Sequence, residues 1–367
     1  MIIKRDSEDL AMRLEMTLGD DWHLHLRDGI YLKDNVRATA RQFGRAIIMP
    51  NTGPIITVPE AKAYRERILA ARPPGSTFEP LMTLYNSPRT TRADIREAKE
   101  SGIIFGLKDY PRGATTGSDQ APLHFRDSYP IFEECEEQDL VVNLHGEKLV
   151  NNRGEEVDAI DREEVFLEEE FFPLREKFPS LRIVLEHITT SAAVEATKEC
   201  SVYSRTAATI TPHHPTTNMN HLLGDKLRPH LFNKPVNKRI RDQKATNAAC
   251  VSGLSCFFLG TDSAPWNRAS KECDCGCAGC YNANCALELY AEIFENAGVL
   301  KRLEAFVSHY GADFYGLPRH TEMITLVRQP WKVPFELPYG DGETIVPFAA
   351  NRELEWLCAR TFEDEEN

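Results

Sequence analysis

The sequence predicts an α/β protein, a (β/α)₈ TIM barrel, and three observations support this prediction. Eight short apolar runs alternate with longer amphipathic stretches along most of the chain. Strands that alternate with helices form parallel sheets, and eight such units close into a barrel. Polar side chains of metal-binding types follow the runs, at the ends where barrel enzymes carry their active sites. The 367 residues, 42% of them hydrophobic, suffice for a barrel of about 250 residues with insertions.

The predicted elements follow one another in βα order. The first strand leads into the histidine pair at 23 and 25, and the others are the apolar runs at 45–49, 80–85, 103–108, 140–145, 181–187, 207–211 and 257–262. Helices are predicted at 33–42, 59–71, 90–100, 127–138, 162–177, 190–199 and 237–252, and two more near 284–297 and 301–310. We expect a single barrel domain over residues 1–367, with a core at about 17–315 and a C-terminal extension at about 317–367. The acidic end, 363–367, should be solvated.

Charge and hydropathy exclude several classes of partner. The formal net charge of −13 argues against a surface that binds nucleic acid. No apolar run reaches the ~20 residues that are needed to span a bilayer. The first residues lack the apolar core of a signal peptide. We therefore expect a cytoplasmic protein that binds neither membranes nor nucleic acids.

The ten cysteines are unevenly distributed, since five lie between positions 273 and 285. A cytosolic setting argues against a disulfide framework. Cys277 and Cys280 have the C-x-x-C spacing of zinc ligands, but a second, distant pair of this kind is missing. A loop with reduced thiols is the preferred interpretation, and a structural zinc site is the alternative.

Six polar side chains at the ends of the predicted strands indicate a binuclear metal site. His23 and His25 are two residues apart, so in a strand they project to the same side, about 7 Å apart along the backbone. Two imidazoles so placed can bind one metal ion, although ordinary histidines on a half-buried strand give the same pattern. The other four follow later strands and should face the same C-terminal rim of the barrel; they are Lys108, His145, His187 and Asp262.

Lys108 is the unusual member, because a cation is unfavourable beside other cationic ligands. A buried lysine loses its proton readily, and the neutral amine can take up CO₂ to form a carbamate whose two oxygens bridge two metal ions. The alternative is an unmodified lysine that pairs with Asp109 or with a substrate anion. The spacing alone favours this alternative.

Eight segments together resemble the shorter, monofunctional dihydroorotases of bacteria and fungi, within the amidohydrolase superfamily. The resemblance spans about residues 18–315, and its segments are Asp21–Arg27, Met49–Thr52, Lys108–Pro111, Ala114–Thr116, Asn143–Glu147, Glu186–Thr190, Gly260–Pro265 and Cys275–Gly279. It implies the reversible conversion of L-dihydroorotate and water into N-carbamoyl-L-aspartate, a step of de novo pyrimidine biosynthesis. The implied partners are this small-molecule substrate and a second copy of the chain in a homodimer.

The resemblance also implies the cofactor and the metal ligands. Two Zn²⁺ ions per chain are expected, one bound by His23, His25 and Asp262 and the other by His145 and His187. Lys108, as N6-carboxylysine, would bridge them. Asp262 would also be the catalytic residue that shuttles a proton between the attacking water and the departing amide nitrogen.

The substrate contacts that the resemblance implies lie on loops. They are Arg27 and Asn51 for the substrate carboxylate, Thr115 and Thr116 on a loop that closes over the substrate, and the backbone of Ala278 against the ring. An arginine offers a planar fork that suits a carboxylate. The alternatives are a surface arginine paired with Asp28, a turn residue at position 51 and an ordinary Gly/Ser-rich loop.

Trp266 is a departure from the family, which usually has a substrate-binding histidine directly after Asp-Ser-Ala-Pro. A tryptophan is larger, carries no charge and offers one N–H donor. Lys234 or Asn267 could compensate and bind the carboxylate. The change leaves two alternatives to a dihydroorotase: a related amidohydrolase that acts on a different cyclic amide or imide, and a catalytically silent metal-binding paralogue with a regulatory or scaffold role. The presence of Asp262 argues against the silent paralogue.

Overall fold

The strands of the barrel follow one another around it in chain order. The structure, a computed structural model, describes residues 1–5, 12–203 and 205–362, so the acidic end at 363–367 lies outside the described residues. Within this part of the chain, eight parallel strands form one sheet: Gly19–Leu24, Phe43–Ile48, Glu79–Tyr85, Ile104–Asp109, Val141–Leu144, Ile183–Leu185, Thr206–Ile210 and Phe257–Leu259. The predicted fold class is confirmed.

The barrel closes where its first and eighth strands end. The backbone N–H of Asp262 donates to the carbonyl of His23 at 2.9 Å, and the N–H of His25 donates to the carbonyl of Ser263 at 3.1 Å. Leu24 and Ser263 form a parallel bridge between these two bonds. Closure of the barrel and placement of three predicted metal ligands therefore depend on the same backbone hydrogen bonds.

Helices cover the outside of the barrel close to the predicted positions. They are Leu32–Ala40, Val58–Ala70, Arg92–Ser101, Tyr129–Glu137, Ser191–Cys200, Ile240–Cys250 and Ala286–Asn296, with short helices at Met219–Leu223 and Arg268–Lys271. The helix Tyr310–Tyr315 instead packs against the apolar cluster that contains Trp22. Thr57 and Thr91 begin two of them with capping boxes, which satisfy free backbone N–H groups. None of the helices in the described ranges is long and apolar enough to cross a membrane.

The predicted helix at 162–177 has the expected extent but an interrupted middle. It consists of Arg162–Phe166, a π-helical turn at Leu167–Phe171 and Phe172–Lys177. Pro173 has no N–H and cannot bond to the carbonyl four residues earlier, so the regular ladder changes there.

A second sheet joins the two ends of the chain, which sequence patterns left unassigned. Its antiparallel strands lie in the order Ile2–Arg5, Met12–Thr17, Met323–Lys332 and Glu353–Cys358. A hairpin of Leu337–Tyr339 and Glu343–Ile345 lies within the same C-terminal region. Leu14 and Trp356 are fully buried and belong to the same apolar cluster as the barrel helices. The C-terminal extension is therefore packed onto the barrel.

Candidate active site

Three donor atoms converge at the barrel mouth. His23 Nε2 lies 3.3 Å from His25 Nε2, and Asp262 Oδ1 lies 3.3 Å from each of these nitrogens. A tetrahedral zinc ion with ligands at about 2.0–2.1 Å separates its donor atoms by roughly 3.3–3.4 Å. The three atoms therefore have the spacing of one face of a coordination tetrahedron.

A β-bulge explains how the first strand supplies a ligand at this point. The register of its pairing with the second strand shifts between Asp21 and Leu24. The shift lets consecutive residues face the barrel interior, where Trp22 joins an apolar cluster and His23 contacts Asp262. Bulges of this kind redirect side chains next to active sites.

Two ligand positions have left-handed backbone conformations, with φ of 43° at both His187 and Asp262. Residues other than glycine rarely adopt this conformation, and such strain is concentrated at functional sites. The N–H of His187 donates to Oγ1 of Thr209 at 2.7 Å, and the N–H of Asp262 donates to the carbonyl of His23. These hydrogen bonds stabilise the strained turns that bring both side chains into the barrel mouth.

A second pair of histidines lies beside the first group. The ring centroids of His145 and His187 are 4.7 Å apart, and His187 is 4.9 Å from His23. One ligand atom from each of His23, His187 and Asp262 lies within 4.8 Å of the others. Glu147 is 2.8 Å from Nε2 of His145, so Nδ1 of this histidine is the nitrogen left for a metal. The residues present therefore suit a second ion next to the first.

Lys108 is fully buried beneath these ligands. Its ammonium contacts the carboxylate of Glu186 and lies 4.6 Å from the ring centroid of Tyr110. The alternative pairing with Asp109 is not formed, since that carboxylate accepts a hydrogen bond from Asn86 at 2.6 Å. Burial lowers the pKa of Lys108, against the opposing effect of Glu186. The lysine is therefore a buried member of the cluster and does not extend to the surface.

Glu186 connects Lys108 with the first metal ligand. Its Oε1 lies 3.0 Å from Nδ1 of His23, which leaves Nε2 of that histidine facing Asp262. Burial opposes a charge on His23, but the carboxylates of Glu186 and Asp262 together outweigh it and raise the pKa of His23 to about 9. Burial likewise opposes ionisation of Glu186, yet His23 and Lys108 lower its pKa to about 2. A metal ligand oriented by an outer carboxylate is a common arrangement in metal sites.

Burial also sets the charge of the remaining ligands. It lowers the pKa of His25 to about 4, and it lowers the pKa of His145 and of His187. At Asp262 burial favours the protonated form, but the contacts with the His23 and His25 imidazoles and the charge of His23 outweigh it and lower the pKa well below its ordinary range. Neutral imidazoles and an ionised carboxylate are the forms that bind a divalent cation.

Arg27 lies at the opposite wall of the pocket. Its backbone is left-handed, with φ of 58°, and its Nε donates to the carbonyl of Pro265 at 2.9 Å. The guanidinium carbon lies 4.4 Å from the ring centroid of Trp266. The alternative pairing with Asp28 is not formed, because that carboxylate binds Arg67. Arg27 is thus buried and lines the pocket, and among the described residues its terminal nitrogens have no hydrogen-bond acceptor.

Asn51 connects the metal ligands to the loop that carries Thr115 and Thr116. Its Oδ1 is 2.8 Å from Nδ1 of His25, and its Nδ2 donates to the carbonyl of Thr116 at 2.9 Å. Ser118 closes the loop by donating to the carbonyl of Thr115 at 2.6 Å. The asparagine therefore orients a metal ligand and fixes the loop beside the pocket.

The structure brings most of the predicted site residues to one cavity. Its walls include His23, His25, Arg27, Asn51, Thr115, Thr116, His145, His187, Lys234, Asp262 and Ala278. Lys108 lies below this cavity, and Trp266 lies behind Arg27 in the neighbouring cleft. Sequence reasoning missed Tyr110, Ala264 and Gly279 in the wall, as well as the outer carboxylates Glu147 and Glu186. Tyr110 and Glu147 each follow a predicted ligand by two residues, a spacing that could have indicated them.

The cysteine-rich segment contributes backbone to the pocket. Cys280 is buried and its Sγ–H donates to the carbonyl of His230, whereas Cys273 and Cys275 are exposed. In the described residues, the group of ligand atoms close enough for a metal lies at the rim, which does not support the alternative of a zinc site in this segment. Ala278, from the same segment, lines the pocket.

Comparisons with known proteins agree over nearly the whole chain. A model of the amidohydrolase family matches residues 20–355. A curated dihydroorotase from Picosynechococcus is 52% identical over 348 residues, which cover 95% of this chain and 99% of that protein. The dihydroorotase of Saccharomyces cerevisiae, solved in complex with 5-fluoroorotic acid, has a TM-score of 0.87 and 32% identity and covers 96% of this chain and 99% of its own. The dihydroorotase of Campylobacter jejuni has a TM-score of 0.84 and 33% identity, with coverage of 95% and 97%.

Proposed function

This chain belongs to the amidohydrolase family and, within it, to the dihydroorotases, and we propose that its rim site converts L-dihydroorotate and water reversibly into N-carbamoyl-L-aspartate. It is a metal-dependent hydrolase of a small cyclic amide, and its reaction belongs to pyrimidine biosynthesis. The observation that carries the proposal is the equal 3.3 Å spacing of the His23, His25 and Asp262 donor atoms, in a pocket that also contains Arg27. Identity of 52% over nearly the full length of a curated dihydroorotase does not favour either a different ring substrate or a silent paralogue.

The metal content is proposed as two Zn²⁺ ions. Imidazole and carboxylate donors suit zinc, and the two groups of ligands described above support two adjacent sites. Bound there, such ions polarise the scissile carbonyl and lower the pKa of water. His23, His25 and Asp262 would bind one ion, and His145 and His187 would bind the other.

Lys108 is proposed to be the bridging N6-carboxylysine. The ammonium would first lose a proton, and the neutral nitrogen would then bond to the carbon of CO₂ and release a second proton, so that a cation becomes an anion with two oxygen donors. Full burial and the lowered pKa of Lys108 support this step, because the neutral amine is the reactive form.

Asp262 is the proposed proton shuttle. Its low pKa keeps the carboxylate ionised at neutral pH, which is the form that can take a proton from the attacking water. Its place between the imidazoles of His23 and His25 keeps the carboxylate at the metal-binding face. Transfer of the proton to the departing amide nitrogen completes ring opening, and the reverse transfers accompany ring closure.

The substrate carboxylate is proposed to bind Arg27. Within the described residues, its Nε is the guanidinium nitrogen that donates a hydrogen bond, which leaves the terminal nitrogens for a ligand. Two parallel N–H groups on a planar fork match the two oxygens of a carboxylate. Asn51, Lys234, Thr115, Thr116 and the backbone of Ala278 complete the proposed contacts, since all of them line the same cavity.

Assembly is proposed on the family resemblance, whereas the location and the excluded partners are proposed on the charge and hydropathy of the sequence. A homodimer and a cytoplasmic location remain predictions, as does the absence of nucleic-acid and membrane partners.

Conversion of dihydroorotate and carbamoyl aspartate by the purified protein tests the proposed function. Dihydrouracil and hydantoin, which are cyclic amides without the carboxylate, serve as the comparison substrates. The proposal expects turnover of dihydroorotate in both directions and little or none of the comparison substrates. Preference for an uncharged ring would contradict it.

A further inference from the structure

We propose that Trp266 is a positioning residue that fixes Arg27 and the 278–279 backbone in the geometry that receives the substrate carboxylate. This inference rests on the proposed function, since it assigns the preorganisation of the same pocket. Two contacts carry it: the Trp266 ring lies 4.4 Å from the guanidinium carbon of Arg27, and its Nε1 donates to the carbonyl of Ala278 at 3.0 Å.

The location of Trp266 supports positioning instead of direct substrate contact. The residue lines the cleft next to the pocket, together with Tyr31, Asn267 and Tyr339. Its single polar hydrogen is already donated to Ala278. Trp266 therefore lacks a free donor for a carboxylate and acts through the groups on either side of it.

On one side, Trp266 completes the fixation of Arg27. The left-handed backbone conformation restricts where the side chain can lie, and the bond from Nε to Pro265 fixes one edge of the guanidinium. The indole face then supports the guanidinium plane, an arrangement that attracts cations electrostatically. Arginine has many rotamers, so a guanidinium fixed before binding loses less entropy when it receives the carboxylate.

On the other side, Trp266 packs against a backbone segment that accepts no extra atom. Gly279 has φ of 143°, and a Cβ there would lie 2.3 Å from the carbonyl oxygen of Ala264 and 3.2 Å from Cδ1 of Trp266. Lys271 donates to the carbonyl of Gly279 at 2.7 Å and holds the segment from behind. Because Ala278 and Gly279 line the pocket, a shift of the indole would move both the guanidinium and this wall.

The consequence is selectivity for rings that carry a carboxylate. The Trp266 contacts place the guanidinium as well as the 278–279 wall, so their loss should weaken binding of a ring with the carboxylate more strongly than binding of a ring without it. A merely structural role would weaken both equally. The pair 5-fluoroorotate and 5-fluorouracil separates these outcomes, and 5-fluoroorotic acid is the ligand bound in the yeast relative.

The experiment is a double-mutant cycle with Trp266→Ala and Arg27→Ala, alone and combined, in the metal-loaded protein. Binding of 5-fluoroorotate and 5-fluorouracil is measured by calorimetry, and metal content is measured alongside. We expect Trp266→Ala to weaken binding of 5-fluoroorotate about tenfold, with a distinctly smaller loss of 5-fluorouracil affinity and unchanged metal content. In the Arg27→Ala background the same change should have less than about a twofold effect, because coupled residues are not additive.

Two further variants guard against a folding defect. Trp266→Phe retains an aromatic face below Arg27 and should lose less affinity than Trp266→Ala. Trp331→Phe removes a comparable indole bond to a backbone carbonyl, that of Trp356 at 2.8 Å, away from the pocket, and should behave as wild type. Equal losses from Trp266→Ala in both Arg27 backgrounds, or equal losses for both ligands, would overturn the inference. Wild-type protein that binds 5-fluorouracil but not 5-fluoroorotate would overturn the proposed function itself.

Discussion

The two halves of the pocket are built by different parts of the fold. The half that we propose to bind the metal ions, called the metal half, comprises His23, His25, Lys108, His145, His187 and Asp262, which lie on or shortly after barrel strands, and all six are buried. The half that we propose to bind the substrate carboxylate, called the carboxylate half, comprises Arg27, Asn51, Thr115, Thr116 and Ala278, which lie on loops, and the last three are partly exposed. The sheet fixes the first half, whereas side-chain bonds to backbone fix the second.

This difference separates chemistry from substrate choice. Backbone hydrogen bonds between the barrel strands place the proposed metal ligands, so the barrel itself sets the relative positions of these ligands. The loop residues depend on local contacts, such as Arg27 with Trp266 and Asn51 with Thr116. We therefore expect changes in the metal half to lower turnover and changes in the carboxylate half to lower the affinity for substrate.

Asp262→Asn should have the largest effect. Loss of the proton shuttle should lower kcat by about 10²–10⁴-fold, the usual contribution of a general acid–base group. Binding of 5-fluoroorotate should persist, because Arg27 is intact. Steady-state kinetics and calorimetry measure the two effects, with Asp313→Asn, an exposed partner of Arg319, as the control. Near-normal turnover would exclude Asp262 as the shuttle.

Lys108→Ala should remove the bridge between the two proposed ions. We expect about one ion fewer per chain by elemental analysis, and roughly a hundredfold loss of activity, since loss of even an outer partner of a metal ligand costs about 10–100-fold. A short carboxylic acid added to the variant should restore part of the activity. Lys198→Ala, on an exposed helix position, is the control. An unmodified Lys108 in fully metallated, active protein would contradict the carbamate.

Arg27→Lys should mark the boundary between the two halves. Lysine keeps the charge but loses the fork and the stacked plane. A lost charge-assisted hydrogen bond of about 1.5–3 kcal/mol corresponds to roughly a ten- to hundredfold rise in KM for dihydroorotate. Turnover at saturation should change less. Arg328→Lys, whose guanidinium lies 5.9 Å from the ring centroid of Trp356, is a matched control. A fall in kcat without a rise in KM would indicate that Arg27 acts in the chemical step and does not bind the substrate carboxylate.

Glu147→Gln should have the smallest effect of this series. The amide can still accept a hydrogen bond from Nε2 of His145, but it is a weaker base than the carboxylate. We expect about a tenfold loss in affinity for the second ion, the one assigned to His145 and His187, and unchanged affinity for the first ion. Competition with a chelator measures both affinities. Glu155→Gln, which is exposed, is the control. Equal loss of both ions would indicate that Glu147 supports the fold more broadly.

The positions of the metal half around one rim could be predicted from the sequence, because the ends of the strands are visible as the ends of apolar runs. Lys108, His145 and Asp262 follow apolar runs, and the parallel order of the strands brings such ends to one rim. Glu186 could not be assigned a role, since its contacts with His23 and Lys108 depend on side-chain directions that apolar patterns do not encode.

The contacts of the carboxylate half and the strand pairing of the second sheet could not be predicted from sequence patterns, because they join residues far apart in the chain. The bond from Arg27 to Pro265 spans 238 positions, and the contact with Trp266 depends on the same loop closure. Trp266 therefore looked like a loss of a substrate contact, whereas the structure gives it two partners. Likewise, Met12–Thr17 pairs with a strand that begins at Met323, and no local pattern identifies such a partner.

A crystal structure with dihydroorotate and a zinc-edge anomalous map tests the central claim most directly. We predict zinc bonded to His23 Nε2, His25 Nε2 and Asp262 at about 2.0–2.2 Å, with the substrate carboxylate on the terminal nitrogens of Arg27. Zinc confined to the segment 273–285, or a carboxylate that contacts neither Arg27 nor Asn51, would contradict the account.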